Sequence, residues 1–157
     1  MDRPDHLGKP VIVAQATPAD AAEWAALRHA LWPKGSLDDH AGDIAQVLAD
    51  PGRTHNLIAR TPEGIAIGFA EAAIRHDYVN GCATSPVGFL EGIYVAPDYR
   101  RSGVARMLVA AVTEWVRSMG CTELASDAAL DNTASHQMHA ALGFEETQRV
   151  VYFRKVL

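Results

Sequence analysis

A chain of 157 residues is near the common size of one domain and can bury roughly 70% of the surface that its unfolded form exposes. Hydrophobic residues make up 48% and charged residues 21%, which argues against a disordered chain and a fibrous repeat. The formal charge of -5, from 19 acidic and 14 basic residues, argues against a nucleic-acid partner and is compatible with a cationic one. We expect one domain over residues 1–157, with residues 1–10 as a loose extension.

No apolar run reaches the roughly 18 residues that cross a bilayer, and the N-terminal residues lack the hydrophobic core of a signal peptide. We therefore expect a cytoplasmic protein with no membrane partner. The two cysteines, Cys82 and Cys121, form no CxxC or Cys/His spacing typical of a zinc site. They are expected to be reduced thiols, and no metal is expected.

The first half of the chain combines strands and helices. Thr17 and Pro18 are typical of an N-cap and a first helical residue, and Pro33 with Gly35 ends the helix that they start. Pro and Gly at 61–64 favour a tight hairpin turn between two antiparallel strands. The predicted elements are a strand at 11–14, helices at 17–31 and 37–49, and strands at 56–60, 65–74 and 87–95.

The second half contains the clearest amphipathic helix, because apolar residues recur at three- and four-residue steps over 104–119. Gly92 interrupts the strand at 87–95, which often marks a bulge or a close approach to the backbone. The later elements are a strand at 122–126, a helix at 132–142 and a terminal strand region at 144–156. This order predicts a mixed α/β class with one sheet, antiparallel at first and then parallel across a helix.

A strand, a short loop rich in Arg and Gly, and a strong helix follow one another over 89–119. The first N–H groups of a helix have no internal partner and carry partial positive charge, so a loop entering the helix can wrap a pyrophosphate. Gly103 lets the backbone come close, and Arg100, Arg101 and Arg106 supply charged donors. The fingerprints GxGxxG and GxxxxGK[ST] are absent, which leaves little support for a Rossmann or NTPase site.

The segment from Arg100 to Ala105 resembles the [RQ]-x-x-G-x-[GA] acetyl-CoA loop of the GNAT N-acetyltransferases. The resemblance implies the GNAT fold, which is α/β (α+β in some schemes), with one mixed central sheet, a splayed parallel strand pair and about four flanking helices. It also implies acetyl-CoA as co-substrate. The cofactor-binding residues that it implies are Ile93, Tyr94 and Val95 at the pantetheine, Arg100, Arg101, Ser102, Gly103, Val104, Ala105 and Arg106 at the pyrophosphate, and Asn132, which reaches the pantetheine.

A narrower resemblance, over roughly residues 11–155, is to the bacterial aminoglycoside 6'-N-acetyltransferases. The strings that carry it are residues 31–33, 74–82, 89–93, 125–127 with Asn132, and 143–147. It implies direct attack of the 6'-amine on the thioester in a ternary complex, a role in antibiotic resistance, and a homodimer formed through the C-terminal strands. The loop at 34–40 has no matching string in that subgroup.

Acidic groups are expected near the acetyl carbon, because a primary amine arrives as an ammonium and must lose a proton before it attacks. Glu91 lies at the expected bulge and Asp127 at the end of the facing strand. Our hypothesis is that Glu91 takes the proton through a water and that Asp127 holds a second ammonium. By the resemblance, Trp32 and Tyr78 also line the acceptor site, as flat faces that pack on sugar rings.

The sequence departs from the family pattern at two positions. His139 stands where many GNAT enzymes have a tyrosine that protonates the leaving thiolate, and an imidazole can serve as that donor. Gln148 stands where the subgroup has an acidic contact to the substrate. The N–H of Ile93 or Tyr94 is the expected oxyanion donor. His136 and His139 have no third ligand that would indicate a metal site.

Two other functions remain open on the sequence alone. The acceptor can instead be a polyamine, a small metabolite amine or a protein N-terminus. The domain can also be a non-catalytic acyl-CoA sensor that kept the cofactor loop. The presence of both Glu91 and Asp127 favours catalysis.

Overall fold

The structure is a computed structural model that describes residues 10–157. The loose extension expected at residues 1–10 lies outside the described residues, apart from Pro10. The strands are β1 (Ile12–Gln15), β2 (Thr54–Arg60), β3 (Ala66–Arg75), β4 (Val87–Val95) and β5 (Leu124–Ser126). The helices are α1 (Ala21–Leu31), α2 (Leu37–Ala49), α3 (Val104–Ser118) and α4 (Thr133–Ala141).

The five strands of the described chain form one sheet in the order β1-β2-β3-β4-β5. The first four are antiparallel neighbours, and β5 is parallel to β4. The chain must cross over between two parallel strands, and α3 makes that crossover. The predicted mixed sheet, with its antiparallel hairpins and its parallel pair, is confirmed.

Each face of the sheet is covered by helices. On one face, Trp24 of α1 and Ile44 of α2 pack with Phe69 of β3. On the other, Leu108 and Val112 of α3 are fully buried against the sheet, as the spacing of apolar residues in this helix predicts. Among residues 10–157, no helix is long and apolar enough to span a bilayer.

The terminal strand expected at 144–156 is wrong for the isolated chain, because residues 144–157 form no ladder. Tyr152 and Phe153 are 84% and 94% exposed. The apolar run has a strand-like composition, but a strand also needs a neighbouring backbone to accept its hydrogen bonds. Near its start the segment passes the turn at Gly81, where an added Cβ would lie 2.1 Å from Oγ1 of Thr147.

Candidate active site

The two parallel strands part within the sheet. Pairing of β4 with β5 ends at Leu90 and Ser126, while β4 continues to Val95. On the β3 side the ladder has a bulge: Ala72 pairs with Leu90 and Glu71 with Gly92, so Glu91 is the extra residue. The bulge expected in this strand is confirmed, and beyond it β4 has no ladder partner on its β5 side, which leaves a gap in the pairing.

The bulge changes which face the side chains occupy. Leu90 and Ile93 both pack towards α3, with two residues between them instead of the single residue of a regular strand. Gly92 therefore meets the α1 side, where a Cβ on it would lie 2.4 Å from Cη2 of Trp32. Only glycine leaves room for the indole there, so the Trp32 ring packs directly beside the bulge.

The loop after β4 enters α3 through two residues with left-handed backbone. Arg101 has φ 61° and Gly103 has φ 87°. Gly103 is the N-cap of α3, and apart from its two chain neighbours no residue has an atom within 4 Å of where its Cβ would be. The N–H groups of residues 104–106 precede the first helical hydrogen bond, which runs from the Met107 N–H to the Gly103 carbonyl, so they have no partner within the helix. The turn has the form of an anion site.

The arginines of this loop are not equivalent. Nε of Arg100 donates to the Val95 carbonyl at 2.8 Å, and its guanidinium lies 5.5 Å from the centre of the Tyr94 ring. Nη2 of Arg106 donates to the Ala141 carbonyl at 3.1 Å and so ties α3 to α4. Arg101 is exposed. Arg100 therefore braces the loop and Arg106 braces the start of α3, and both add positive charge there.

The two candidate acids follow the last pair of the parallel ladder. Glu91 comes directly after Leu90, and Asp127 directly after Ser126, where it is exposed. Arg75 holds both carboxylate oxygens of Glu91, with Nη2 at 2.9 Å from each. The side chains of Arg75 and Glu91 are each about one third exposed. The sequence patterns did not single out Arg75.

His139 points back to the place where the strands part. Its Nε2 lies 2.8 Å from Oγ of Ser126, and its Nδ1 lies 2.7 Å from the Ser135 carbonyl. A carbonyl only accepts, so Nδ1 carries a proton. Ser126 Oγ also lies 3.3 Å from the Leu90 carbonyl. His139 is thus connected to the end of the parallel ladder through Ser126, a residue that sequence reasoning did not single out.

Asn132 begins the helix that carries His139. Its Oδ1 accepts from the Ser135 N–H at 3.1 Å and caps α4. The side-chain amide of Asn132 keeps its own donors for another partner. Within the described part of the chain, no three His, Cys, Asp or Glu side chains are grouped so that they could hold a metal ion.

Tyr78 lies in the loop between β3 and β4 and is 72% exposed. Glu123, just before β5, anchors this loop by accepting from the N–H groups of Ala83 and Thr84. The hydrogen bond from the Thr84 side chain is the main cause that lowers the pKa of Glu123. Gln148 is exposed and follows the residue that contacts the turn at Gly81. Tyr78 and Gln148 therefore belong to one side of the molecule.

A buried polar network lies beneath Trp32. It joins Glu71 of β3, Arg28 of α1 and His40 of α2. Sequence reasoning missed it, although one signal was present: Glu71 is a charged residue inside an apolar strand, and such residues are rarely buried without a partner.

A parallel strand pair whose ladder ends early, a bulge with an acid beside it, and a left-handed turn at the start of α3 together have the form of an acetyltransferase of the GNAT type. The sequence profile of the acetyltransferase (GNAT) family matches residues 20–144. The chain belongs to this family.

Two relatives share one named activity. An aminoglycoside N(6')-acetyltransferase type 1 from Serratia marcescens is 54% identical over 134 residues, which cover 85% of this chain and 91% of the relative. One from Stenotrophomonas maltophilia is 53% identical over 145 residues, or 92% and 93% of the two chains.

Solved structures agree with the fold over nearly the whole chain. The crystal structure of an aminoglycoside 6'-N-acetyltransferase from Acinetobacter baumannii superposes with a TM-score of 0.89 at 48% identity, covering 94% of this chain and 99% of that one. A second structure, with a TM-score of 0.88 at 47% identity and the same coverage, contains a bisubstrate analogue, CoA-S-monomethyl-acetylneamine. The implied GNAT fold is confirmed.

Proposed function

We propose that the protein transfers the acetyl group of acetyl-CoA to the 6'-amino group of aminoglycoside antibiotics and so confers resistance to them. The observation that carries this proposal is the parting of β4 and β5 after Leu90 and Ser126, with Glu91 and Asp127 directly beyond it. The relatives at about half identity support the choice of acceptor. The net charge of -5 is compatible with a polycationic substrate.

The gap beside β4 fits an extended donor. Backbone groups of 93–95 on the β5 side can hydrogen-bond the pantetheine arm, and the first-turn amides of α3 can bind the pyrophosphate. The open space at Gly103 leaves room for phosphate oxygens. The cap uses only Oδ1 of Asn132, so its side-chain NH2 can donate to the pantetheine. When bound, acetyl-CoA supplies an acetyl thioester as the acyl donor.

Glu91 is the proposed proton acceptor. Arg75 contacts both of its oxygens, but each carboxylate oxygen has a second lone pair that can accept from a water or an ammonium. Asp127, exposed on the facing strand, holds a second ammonium of the substrate. Two acids in these positions separate the two tasks, proton removal and orientation.

His139 is the proposed donor to the departing sulfur. Its Nδ1 proton is held by the Ser135 carbonyl, and its Nε2 faces the hydroxyl of Ser126. We infer that the imidazolium form gives its Nε2 proton to Oγ of Ser126 while the Ser126 hydroxyl proton passes to the sulfur, because Ser126 ends the parallel ladder beside the gap. The N–H of Ile93 or Tyr94 stabilises the oxyanion.

The acceptor lies between Trp32 and Tyr78, with Gln148 as a neutral contact. Trp32 is half-buried beside the bulge and Tyr78 is exposed, so both can offer ring surface to a sugar. Gln148 follows the residue that contacts the turn at Gly81. A neutral side chain there weakens the attraction for one ammonium compared with an acid.

We propose a cytoplasmic homodimer. Residues 144–157 expose Val151, Tyr152 and Phe153 along a segment without a ladder in its own chain. Pairing of this segment with a second copy would cover the apolar side chains and satisfy the backbone.

A matched pair of substrates tests the reaction. Neomycin carries an amine at the 6' position, and paromomycin carries a hydroxyl there with the rest of the molecule unchanged. We expect thiol release from acetyl-CoA with neomycin and at least about a hundredfold less with paromomycin, since the attacking amine is missing. Equal rates with both, or activity only on polyamines such as spermidine, would refute the 6' assignment. Binding of acetyl-CoA without turnover on any amine would indicate a sensor.

A further inference from the structure

A buried ion pair lies beneath the indole of Trp32. Arg28 and Glu71 are 8% and 7% exposed, and Nη1 of Arg28 donates to both carboxylate oxygens, at 2.7 Å to Oε2. The Trp24 indole N–H donates to the same carboxylate at 3.0 Å. Such a pair adds little net stability, because desolvation of both charges offsets their attraction. The main effect of the pair is therefore to fix the positions of the groups around it.

His40 extends the pair to the end of α1. Nε of Arg28 donates to Nδ1 of His40 at 3.2 Å, so Nδ1 carries no proton. The ring proton is then on Nε2, which donates to the Trp32 carbonyl at 3.0 Å. His40 is 4% exposed, and an added Cβ on Gly35 would lie 3.2 Å from Nε2. One tautomer of a buried imidazole thus joins α2 to the residue after α1.

Trp32 is fixed through both its backbone and its ring. Its N–H donates to the Arg28 carbonyl at 2.7 Å, and its carbonyl accepts from His40. The Arg28 guanidinium lies 4.9 Å from the ring centre, and the Phe69 ring meets it edge-on at 6.0 Å. Gly92 adjoins the far edge of the indole. Each contact limits the ring to the position beside the bulge.

We propose that Glu71, Arg28 and His40 are positioning residues for the acceptor substrate, acting through Trp32. They hold the indole as a fixed wall next to Glu91, so that a cationic amino sugar packs against it with its amine directed to the gap. The three residues do not contact the sugar themselves. This inference rests on the proposed function, since Trp32 matters here only as part of an aminoglycoside site.

Variants of His40 separate positioning from folding. His40→Leu removes both hydrogen bonds, whereas His40→Gln keeps an amide donor for Trp32 and an acceptor for Arg28. We expect kcat/KM for kanamycin to fall about tenfold in His40→Leu and less than about threefold in His40→Gln, with KM for acetyl-CoA within about twofold in both. If the leucine variant does not fold, His40→Asn, which is too short to bridge both partners, replaces it with the same expectation.

A double-mutant cycle tests whether His40 acts through the indole. In a Trp32→Ala background, His40→Leu should cause no further loss of kcat/KM. The matched control is His55→Leu, a histidine that stacks on Trp115 of α3, and it should leave kcat/KM unchanged.

Two results would overturn the inference while the proposed function stands. One is a wild-type kcat/KM for kanamycin in folded His40→Leu, and the other is the same tenfold loss in the Trp32→Ala background. A wild-type protein that neither acetylates nor binds kanamycin would instead remove the proposed function, and this inference with it.

Discussion

Nη2 of Arg75 lies 2.9 Å from both carboxylate oxygens of Glu91, so the acid at the bulge is held by a cation from the neighbouring strand. The guanidinium in turn lies 3.5 Å from the centre of the Phe89 ring. Both charged side chains are about one third exposed, and ion pairs of this kind contribute at most about 1 kcal/mol to stability. The pair therefore orients Glu91 more than it stabilises the fold.

Glu91→Gln keeps the shape of the side chain and removes its basicity. We expect kcat/KM for kanamycin to fall about a hundredfold, because proton removal loses its acceptor. Asp127→Asn should raise KM for kanamycin about tenfold by weakening one charged contact. Steady-state rates from pH 6 to 9 provide the measurement, with the exposed Glu114→Gln on α3 as control. Near-wild-type turnover in both variants over this range would refute the assignment.

Gly92→Ala places a methyl group 2.4 Å from Cη2 of Trp32, which is too close for the present packing. We expect a loss of about 1–3 kcal/mol in the free energy of unfolding and a higher KM for kanamycin, because the indole must move. Urea unfolding and kinetics measure these effects. Gly42→Ala in α2 is the control, since nothing lies within 4 Å of its Cβ, and it should stabilise the helix by about 0.5–1 kcal/mol. Equal behaviour of the two variants would contradict this packing.

His55 stacks on Trp115 with ring centres 5.1 Å apart, and burial lowers its pKa below the usual 6.5. Below pH 6.5 the unfolded chain therefore binds a proton more readily than the folded chain. The contribution of His55 to stability is present above pH 6.5 and is lost as pH falls through its lowered pKa. His55→Phe keeps the stacking and cannot be protonated, so its free energy of unfolding should fall less between pH 7.5 and 5.5. Identical pH dependence in urea titrations would argue against this role.

The exposed C-terminal segment predicts self-association. Light scattering at micromolar concentration should give twice the 16.9 kDa chain mass. A variant with Val151→Asp and Phe153→Asp should give the mass of one chain, because two buried carboxylates would oppose the interface. Met119→Asp, at the exposed apolar C-cap residue that follows α3, is the control and should stay dimeric. A wild-type mass of 16.9 kDa would exclude the dimer.

Local sequence patterns predicted most of the fold. The predicted bounds of α2 and β4 agree with the structure. They could be predicted because capping residues, Pro and Gly lie within a few positions of the ends of these elements. The bulge followed from one interrupting glycine, and the left-handed turn before α3 coincides with one short motif. The terminal strand failed, since composition indicates apolar character but does not supply a pairing partner.

The contacts that shape the site could not be predicted in the same way. Arg28 meets Glu71 across 43 residues of chain, and Arg75 meets Glu91 across 16. Such pairs depend on how the strands and helices pack against one another. The local spacing of apolar residues does not indicate that packing. Ser126 was missed for a related reason: its position beside His139 depends on where the parallel ladder ends.

In the proposed reaction, an acetyl group passes from a thioester in the β4–β5 gap to one defined amine. The most direct measurement is to incubate the protein with acetyl-CoA and kanamycin and to locate the product's acetyl group by mass spectrometry. We predict a single acetyl group on the 6' nitrogen, about a hundredfold less abundant when Glu91→Gln replaces the wild type over the same short time. Unmodified kanamycin, or an acetyl group on a different nitrogen, would contradict the account.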